Sequence, residues 1–401
     1  MANANLGAAR IAKQDEFYTQ WADIEREMNA YLEYDPDVFR DKVLLLPCDD
    51  PEWSNFTKFF ALHFTEYGLK RLISTSYAPE SNADGAFYEP TLFETGSSQY
   101  DFQKSKERGR VFILERKDLD GDGQINIEDL QWRYLEGDGD FRSPEVTDLL
   151  GEADMVITNP PFSLFRQFLT WLMGGGVEFS IIGNLNAVTY REVFPAIREN
   201  ELWLGPSISS GDREFRVPEQ YPLNAAGTRV ADNGDRFIRV KGVRWFTNIE
   251  HGRRHQPLRL MTMQDNIIYN KKIKGTAYRE YDNYDAIEVG FTDAIPSDYE
   301  GIMGVPISFL DKYNPEQFKI LGITQSWDDS FGLKQRTYPT QVQVTKSGTR
   351  SMVRKLNDGA AIPVKTAPSD QTYYEVGGEV FVKPYCRFLI RHLDPAPKKD
   401  A

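Results

Sequence analysis

The sequence of 401 residues has few of the side chains that build disulfides or zinc sites, and no segment suited to crossing a membrane. It contains two cysteines, Cys48 and Cys386, and no Cys-x-x-Cys spacing, which excludes a disulfide framework and the common zinc motifs. No apolar run approaches the ~18 residues of a transmembrane helix. The first residues also lack the apolar core of a secretory signal. We therefore expect a cytoplasmic protein with no membrane partner.

Histidine and net positive charge are also scarce. There are 4 histidines, and the net charge of -13 opposes binding to nucleic acid overall. The basic residues are concentrated, however, because residues 229–274 hold eleven basic and four acidic side chains, and residues 334–355 hold six basic and no acidic ones. Solvated faces of a mixed surface would explain both windows, but their position in the back half favours a surface there that faces nucleic acid. HGRRH at 251–255 is more typical of a phosphate-facing loop than of a metal-binding histidine pair.

Short apolar runs alternate with helical patterns in the front half. Buried strands are expected at KVLLLPC (42–48), RLISTSY (71–77), RVFILE (110–115), ADMVITN (153–159) and VEFSIIGNL (177–185). Helices are expected at 53–67, 144–150 and 163–173. This alternation indicates an α/β fold with a parallel sheet covered on both faces. Two aromatic-rich strands, at 201–206 and 243–250, are expected to form an antiparallel pair separated by a long insertion.

The remainder of the chain differs in texture. It is rich in Tyr, Asn, Asp, Gly and Pro, and short strand-like segments, GIMGVPISFL, KILGITQS, GEVFVKP and CRFLIRHL, outnumber helical periods. The change predicts a first domain over residues 1–255 and a mixed α+β region over residues 256–401.

The segment Asn159-Pro160-Pro161-Phe162 follows a predicted strand and has the residues of a platform for a flat amine. Two successive prolines fix the backbone without offering an N–H, and the residue before them is held extended. At the carboxyl end of a parallel strand, the Asn159 side-chain oxygen and the Pro160 carbonyl can accept the two hydrogens of an exocyclic amine. Phe162 offers a face for stacking. With the amine held in this way, we expect it to attack a methyl group directly. Such a step depends mainly on the proximity and orientation of the two groups and needs no general base at first.

Simpler and broader interpretations of this segment are also open. The prolines would end a strand before a helix equally well, with Ser163 as the N-cap of that helix. The platform alone also does not select among adenine in DNA, adenine in RNA and a glutamine amide in a protein.

A second motif lies in an acidic insertion at about residues 116–131. The positions that match the oxygen ligands of a twelve-residue calcium loop are Asp118, Asp120, Asp122, Gln124 and Asp129. Gly123 stands at the turn position, whereas the last ligand is Asp instead of the usual Glu, and the preceding residues predict a strand instead of a helix. The motif predicts a structural Ca²⁺ site, and the alternative is an acidic surface turn that binds nothing.

Several further segments follow in a fixed order. They are DEFYTQ (15–20), CDDP (48–51) with SNF (54–56), GDGDFRS (137–143), VITNPPFSLFR (156–166), EVFPAIREN (192–200) with LWLG (202–205), VPEQY (217–221), DNYDAIEV (282–289), GIMGVPISFL (301–310) and NPEQF (314–318). In these segments the sequence resembles the EcoRI family of adenine-specific DNA methyltransferases, with cofactor elements first, NPPF next and a long C-terminal segment last, as in the gamma arrangement. Residues from about 322 to 380 have no evident counterpart in the shorter members.

The resemblance implies an S-adenosylmethionine cofactor bound by a Rossmann-like methyltransferase sheet. The cofactor contacts that it implies are Phe17, Tyr18, Thr19, Pro47, Cys48, Asp49, Asp50, Asp138, Asp140, Phe141 and Asn159. Asp140 with Phe141 matches the pair that holds the adenine of the cofactor, and Asp138 is the competing acid. The loop at Cys48 lacks the Gly-x-Gly of other methyltransferases, a departure that the family shares. No ribose-binding acid is assigned.

The resemblance also implies site-specific methylation of adenine N6 in double-stranded DNA, with the target base flipped out of the helix. Residues 256–401 would then recognise the target, a cognate restriction endonuclease is a candidate partner, and we expect a monomer. The basic side chains expected to contact DNA are Arg236, Arg239, Lys241, Arg253, Arg254, Lys271, Lys272, Lys334, Arg336, Lys346 and Arg350. The alternatives are an RNA-adenine or protein-glutamine methyltransferase and a non-catalytic, calcium-dependent DNA-binding module.

Overall fold

A computed structural model describes residues 18–51, 54–78, 99–209, 211–217, 223, 227–328 and 332–397. The chain divides into two compact units, one with Met1–Leu185 and Leu202–Gly252 and the other with Asn186–Glu201 and Arg253–Ala401. Of the predicted cofactor contacts, Phe17 lies outside the described residues. Within the described ranges, no helix is long and apolar enough to cross a membrane.

The first unit combines helices with a large sheet and a small one. Its helices are α1 (Trp21–Tyr34), α2 (Asn55–Leu62), α3 (Lys104–Glu107), α4 (Pro144–Glu152) and α5 (Phe165–Gly175). Its strands are β1 (Val43–Leu46), β2 (Arg71–Ser76), β3 (Arg110–Glu115), β4 (Gln131–Tyr134), β5 (Met155–Thr158), β6 (Glu178–Asn184), β7 (Trp203–Leu204), β8 (Asp212–Val217), β9 (Arg229–Val230), β10 (Arg236–Lys241) and β11 (Val243–Thr247).

The large sheet has the strand order β4-β3-β2-β1-β5-β6-β11-β7. Strands β2, β1, β5 and β6 are parallel to their neighbours within this group, which confirms the predicted parallel sheet at its centre. The prediction is wrong at the RVFILE strand, since β3 runs antiparallel to β2 and pairs antiparallel with β4. An apolar run reports burial on both faces, and a buried strand can have either direction.

The two aromatic-rich strands pair as predicted. Strand β7 is antiparallel to β11, with Leu204 opposite Phe246, and β11 is antiparallel to β6. The insertion between β7 and β11 forms a three-stranded antiparallel sheet of order β8-β10-β9. This small sheet contributes Phe215 and Ile238 to the main hydrophobic core of the unit.

Helices α1 and α2 cover the sheet through periodic apolar residues. In α1, which was not predicted from the sequence, Ile24, Met28 and Tyr31 recur at helical spacing and are fully buried. Helix α2 begins after Ser54, whose hydroxyl caps it by accepting the Phe56 N–H at 3.0 Å, and ends earlier than the predicted 53–67. A fully buried side chain such as Tyr31 stabilises the fold by roughly 2–3 kcal/mol relative to the same side chain exposed to water.

The second unit is built mainly from strands. Its helices are α6 (Phe194–Arg198) and α7 (Met263–Tyr269). Its strands are β12 (Arg279–Glu280), β13 (Ile287–Glu288), β14 (Met303–Pro306), β15 (Phe318–Ile323), β16 (Gln341–Val344), β17 (Arg350–Val353), β18 (Ile362–Val364), β19 (Tyr373–Val376), β20 (Glu379–Val382) and β21 (Arg387–His392). They form two five-stranded sheets of order β12-β13-β14-β21-β15 and β17-β16-β19-β20-β18. The strands predicted from GIMGVPISFL, KILGITQS, GEVFVKP and CRFLIRHL are all present.

Candidate active site

The candidate site is assembled where the central parallel strands end. Strand β1 pairs with β5 on one side and with β2 on the other, so the segments that follow all three strands leave from the same edge of the sheet. This edge is where open α/β sheets bind ligands. The segments are 47–50 after β1, 77–78 after β2 and 159–162 after β5.

The Asn159-Pro160-Pro161-Phe162 segment links β5 to α5. Asn159 is half-buried with its side-chain oxygen buried, and Pro160 is buried. Phe162 opens a short 3-10 turn and is partly buried, edge-on to the Phe215 ring at a centroid distance of 6.3 Å. The N-cap of α5 is Leu164 and has no side-chain cap bond, so the alternative that Ser163 caps this helix is wrong. The segment therefore presents carbonyl and amide acceptors beside an aromatic ring.

The loop after β1 makes a glycine-like turn without glycine. Cys48 has φ of 70°, in the left-handed region that a side chain disfavours by ~1–2 kcal/mol. Its N–H donates to Thr75 Oγ1 at 3.3 Å. Burial, together with the neighbouring Cys48 thiol and Asp140, raises the pKa of the Tyr77 hydroxyl well above its usual range. Cys48 is thus a packed thiol in a strained turn at the position of the missing glycine.

The two acids of this loop both bond to protein groups. Asp49 is buried, and its carboxyl oxygens lie 2.6 Å from Ser54 Oγ and 2.5 Å from Thr158 Oγ1. Asp50 forms a salt bridge with Arg110 at 2.7 Å, where the arginine side chain is 4% exposed. Burial raises the pKa of Asp49 to about 7, against the lowering effect of the two hydroxyl hydrogen bonds. Asp49 was predicted as a cofactor contact, and the structure directs its carboxyl to Ser54 and Thr158.

The GDGDFRS segment packs against the end of β2. The Ala78 N–H donates to the Asp138 carbonyl at 2.7 Å, and Gly139 has φ of 87° with no room for a side chain beside the Ser76 carbonyl. Asp138 is exposed, whereas Asp140 is half-buried. The hydrogen bond with Arg142 holds the pKa of Asp140 below its usual range. This placement brings both candidate acids to the same sheet edge as Cys48.

Phe141, predicted as a cofactor contact, is fully buried. Its ring lies against Phe168 and Trp171, with centroids 4.9 and 5.5 Å away. In this structure it belongs to the aromatic core under the loop, and it fixes the position of Asp140 beside it.

The chain at Tyr18 and Thr19 reaches this edge as well. Tyr18 pairs with Arg216 of β8 through backbone hydrogen bonds of 2.9 and 3.1 Å. The Thr19 carbonyl accepts the Asn55 side-chain N–H at 2.8 Å. Thr19 Oγ1 is buried and has no hydrogen-bond partner in the described part of the chain, which fits a polar ligand at this point.

These segments are joined by specific contacts. Thr158 bonds to Asp49 and Pro47, Ala78 bonds to Asp138, and β8 contacts both Tyr18 and Phe162. The acids, hydroxyls and aromatic rings of this edge suit a cofactor that carries an ammonium group, a ribose and a purine. The contributions that were not predicted from the sequence are those of Ser54, Tyr77, Arg110, Thr158 and Phe215. Of these five, Thr158 could have been noticed in the sequence, because its hydroxyl stands in the otherwise apolar strand β5.

The predicted DNA contacts in the first unit lie on the small sheet. On β10, Ile238 and Val240 are buried whereas Arg239 and Lys241 are exposed, as the strand alternation requires. Arg236 is half-buried. Arg239 and Lys241 thus present two positive charges to solvent from one strand face.

Several predicted DNA contacts in the second unit already have partners. Arg254 is buried and bonds to Asn200, so its replacement would disturb packing, while Arg253 is half-buried. The side chains with other partners are Lys272 with Asp293, Lys334 with the Asn357 carbonyl, Arg336 with Asp282, and Arg350 with Glu375. Lys271 and Lys346 are exposed. The two histidines of HGRRH have separate partners, because His251 is buried against the Leu204 carbonyl and His255 pairs with Glu316.

The acidic insertion folds into a tight loop between β3 and β4. Carboxylate oxygens of Asp118, Asp120 and Asp129 lie within 4.8 Å of one another, as do those of Asp120, Asp122 and Glu128. Backbone N–H groups of Leu119 and Asn126 donate to Asp129 and hold its pKa below the usual range. Gln124 donates its backbone N–H to Asp122 at 2.7 Å. The loop has converging oxygens, but a strand precedes it and a 3-10 turn ends it.

Comparison with known proteins identifies relatives along most of the chain. The family described as "Adenine-specific methyltransferase EcoRI" matches residues 5–392. Type II methyltransferase M.EcoRI of Escherichia coli is 41% identical over 329 residues, which cover 82% of this chain and 91% of that protein. M.MpnI of Mycoplasma pneumoniae is 34% identical over 78% of this chain and 83% of its own. M.MgeORF184P of Mycoplasma genitalium is 33% identical over 79% and 85%. No solved structure matches the chain significantly.

Proposed function

The chain belongs to the EcoRI family of adenine-specific methyltransferases, and we propose that it methylates the N6 amine of adenine at specific sites in double-stranded DNA. The observation that carries this proposal is the position of Asn159-Pro160-Pro161-Phe162 at the sheet edge, hydrogen-bonded through Thr158 to the loop after β1. A methyl acceptor and a methyl donor would meet at that edge. The central parallel strands and the antiparallel β11 support a Rossmann-like methyltransferase sheet.

The reaction follows from the acceptors at the end of β5. The Asn159 side-chain oxygen and the Pro160 carbonyl accept the two N6 hydrogens and draw the nitrogen lone pair out of the ring plane. Phe162 supports the flipped base, whose removal from the stack costs a few kcal/mol. S-adenosylmethionine, when bound, supplies the electrophilic methyl group. The amine would attack the methyl carbon in line, so that the new N–C bond forms as the bond from that carbon to the sulfonium sulfur breaks and the cofactor leaves as its neutral thioether. The proton that the amine loses afterwards would pass to solvent, because neither acceptor is basic.

The cofactor would be held by groups from three segments. Thr19 Oγ1 is a buried hydroxyl available to a polar ligand, and the 47–50 loop offers its backbone. Asp140, kept ionised by Arg142, suits a donor on the purine or the ribose. These positions agree with the cofactor contacts that the family resemblance implies. Asp49 and Phe141 are buried and would hold the neighbouring groups in place from beneath the site.

Substrate class is tested by methyl transfer from tritiated cofactor to duplex DNA, RNA and a protein extract. We expect label in duplex DNA alone. Label in RNA or protein would favour the other amines that an NPPF site accepts, and cofactor binding without transfer to any substrate would favour a binding module.

We propose that residues 256–401 recognise the target and that Arg239 and Lys241 hold DNA phosphates. The enzyme would act as a monomer in the cytoplasm, and a restriction endonuclease of the same specificity is its candidate partner. The double substitution Arg239→Glu and Lys241→Glu should weaken DNA binding and reduce the slope of log K against log salt by about 2. Fluorescence anisotropy across a salt series measures both effects.

The matched control is Lys70→Glu with Lys104→Glu, which changes the charge equally at two exposed lysines of the acidic front half. The control should keep the wild-type salt slope. Equal loss of affinity in both double variants would show that total charge matters and would contradict a phosphate contact on β10.

We further propose that the acidic loop binds Ca²⁺ as a structural ion. If its Kd is on the order of 10 μM, 1 mM Ca²⁺ should stabilise the protein by about 2.7 kcal/mol and raise Tm by several degrees. Thermal melting with Ca²⁺ and with chelator tests this. The variant Asp118→Asn with Asp120→Asn should show no calcium-dependent shift in Tm. If the wild-type protein melts identically with Ca²⁺ and with chelator, the loop is an acidic surface turn that binds no ion.

A further inference from the structure

One side chain joins the loop after β1 to the strand that carries the amine-binding segment. The carboxyl of Asp49 is 5% exposed, with Oδ1 2.6 Å from Ser54 Oγ and Oδ2 2.5 Å from Thr158 Oγ1. Thr158 is the last residue of β5 and directly precedes Asn159. Any change in the Asp49–Thr158 hydrogen bond therefore acts at the residue next to Asn159, the proposed acceptor of an amine hydrogen.

The hydrogens in this cluster can be assigned by counting. Thr158 Oγ1 lies 2.9 Å from the Pro47 carbonyl and 2.5 Å from Asp49 Oδ2, but the hydroxyl has one proton, and a carbonyl can only accept. Ser54 Oγ accepts the Phe56 N–H at 3.0 Å, which leaves its own proton for Asp49 Oδ1. If Thr158 donates to Pro47, Asp49 must donate to Thr158. That arrangement satisfies every contact, and it requires a proton on Asp49.

We propose that Asp49 is a positioning residue, which as the neutral acid donates to Thr158 and thereby holds the Asn159 segment against the loop after β1. This inference rests on the proposed function, because it assigns the working geometry of that site to one protonation state. An ionised Asp49 would draw the Thr158 proton to itself. The Pro47 carbonyl would then face an oxygen lone pair, and one of the two hydrogen bonds between Thr158 and the loop after β1 would be lost.

The surroundings favour the neutral acid below about pH 7. Burial, with a smaller effect of the nearby Asp50, raises the pKa of Asp49 to about 7, while hydrogen bonds from Ser54 and Thr158 to the carboxylate oppose the shift. Arg110 of β3 is the cation facing this loop, and its charge is engaged by Asp50 at 2.7 Å. The neighbours from α2 and β2 are hydroxyls, since Thr57 Oγ1 and Ser74 Oγ donate to the Asp49 carbonyl. Transfer should therefore slow as pH rises through about 7.

The test compares single-turnover methyl transfer between pH 6 and 9 in four proteins. The wild-type rate should fall with a midpoint near pH 7, while Asp49→Asn, which is neutral and keeps a donor, should show a flat profile. Thr158→Val should lower the rate about tenfold at pH 6, as expected for one lost buried hydrogen bond, and should show a flat profile because the contact that depends on pH is absent. Thr158→Ser keeps the hydroxyl and should restore the wild-type profile.

Cofactor affinity separates this role from direct binding. All four proteins should bind S-adenosylmethionine with Kd values within about threefold of one another. This range is smaller than the tenfold change in Kd that corresponds to ~1.4 kcal/mol. If Asp49→Asn keeps the wild-type pH midpoint, or loses cofactor affinity with an unchanged single-turnover rate, the positioning role is wrong.

A stability readout keeps the inference independent of activity. An acid whose pKa is raised by folding stabilises the protein fully at low pH, and this contribution is lost as pH rises through the folded value of about 7. The Tm of Asp49→Asn relative to wild type should therefore increase between pH 4 and pH 8. A difference that is constant with pH would overturn the neutral-acid assignment even if no methyl transfer were detected, whereas absent transfer alone would refute the proposed function.

Discussion

Replacing Asn159 with alanine is expected to lower the rate of methyl transfer by about 10³-fold, the loss typical of removing one group that stabilises the reacting centre. In the proposed function the buried side-chain oxygen of Asn159 is one of two acceptors for the amine hydrogens, and alanine removes it without disturbing the prolines. DNA affinity should stay within a few-fold of wild type, because phosphate contacts carry most of the binding. Single-turnover assays and anisotropy measure the two quantities separately.

Asn233→Ala is the matched control for this variant. Asn233 is exposed in the turn before β10, where its side chain bonds to Asp235, and the substitution removes the same atoms far along the chain from β5. It should leave transfer unchanged. Near-normal turnover by Asn159→Ala would mean that the amine is held elsewhere, and the role assigned to NPPF would be wrong.

Replacing Gly139 with alanine is expected to destabilise the protein by about 3–5 kcal/mol and to abolish cofactor binding at ordinary concentrations. The new Cβ would lie 2.3 Å from the Ser76 carbonyl oxygen and 3.2 Å from the Tyr77 Cα, and neither backbone atom can move aside without shifting β2. The left-handed φ of 87° adds its own cost. Denaturant unfolding and cofactor titration measure the two losses.

Gly121→Ala separates these two causes. Gly121 has a similar φ of 80°, but among the described residues, apart from its two chain neighbours, no atom lies within 4 Å of the point that an alanine methyl group would occupy. Alanine there therefore meets only the backbone cost of ~1–2 kcal/mol. The comparison should be made with chelator present, because Gly121 lies in the acidic loop. Equal destabilisation by both substitutions would show that the GDGDFRS segment does not pack on β2 as described.

The order of elements was largely predictable because burial leaves a direct trace in sequence. The runs at KVLLLPC, RLISTSY, ADMVITN and VEFSIIGNL became the four central strands, since a strand covered on both faces needs apolar residues throughout. Strand direction left no such trace, and RVFILE is antiparallel. Helix α1 was missed even though Ile24, Met28 and Tyr31 have helical spacing.

The turn at Asn159-Pro160-Pro161-Phe162 was predictable because its rigidity is local and comes from two prolines, whereas its binding of an amine stays a proposal. The cofactor side was harder to predict. The turn at Cys48 has the left-handed φ expected of glycine, and a non-glycine residue in that conformation is held by tertiary contacts such as the Thr75 hydrogen bond. Asp49 and Thr158 are far apart in the chain, so their 2.5 Å contact depends on the pairing of β1 with β5.

Basic residues were the least predictable group. Sequence gives their number but not their partners, and Arg336 and Arg350 pair with Asp282 and Glu375, which are distant in the chain. Arg239 and Lys241 came from the same count of basic residues, and both are exposed on β10, a strand that was not predicted from the sequence.

Adenine methylation through Asn159 is tested most directly by nucleoside analysis of DNA from cells that express the chain, beside cells that express Asn159→Ala. We expect N6-methyladenine in one sequence context with the wild-type chain and none with the variant. A methyl group on cytosine, or N6-methyladenine at equal levels with both chains, would contradict the proposed function.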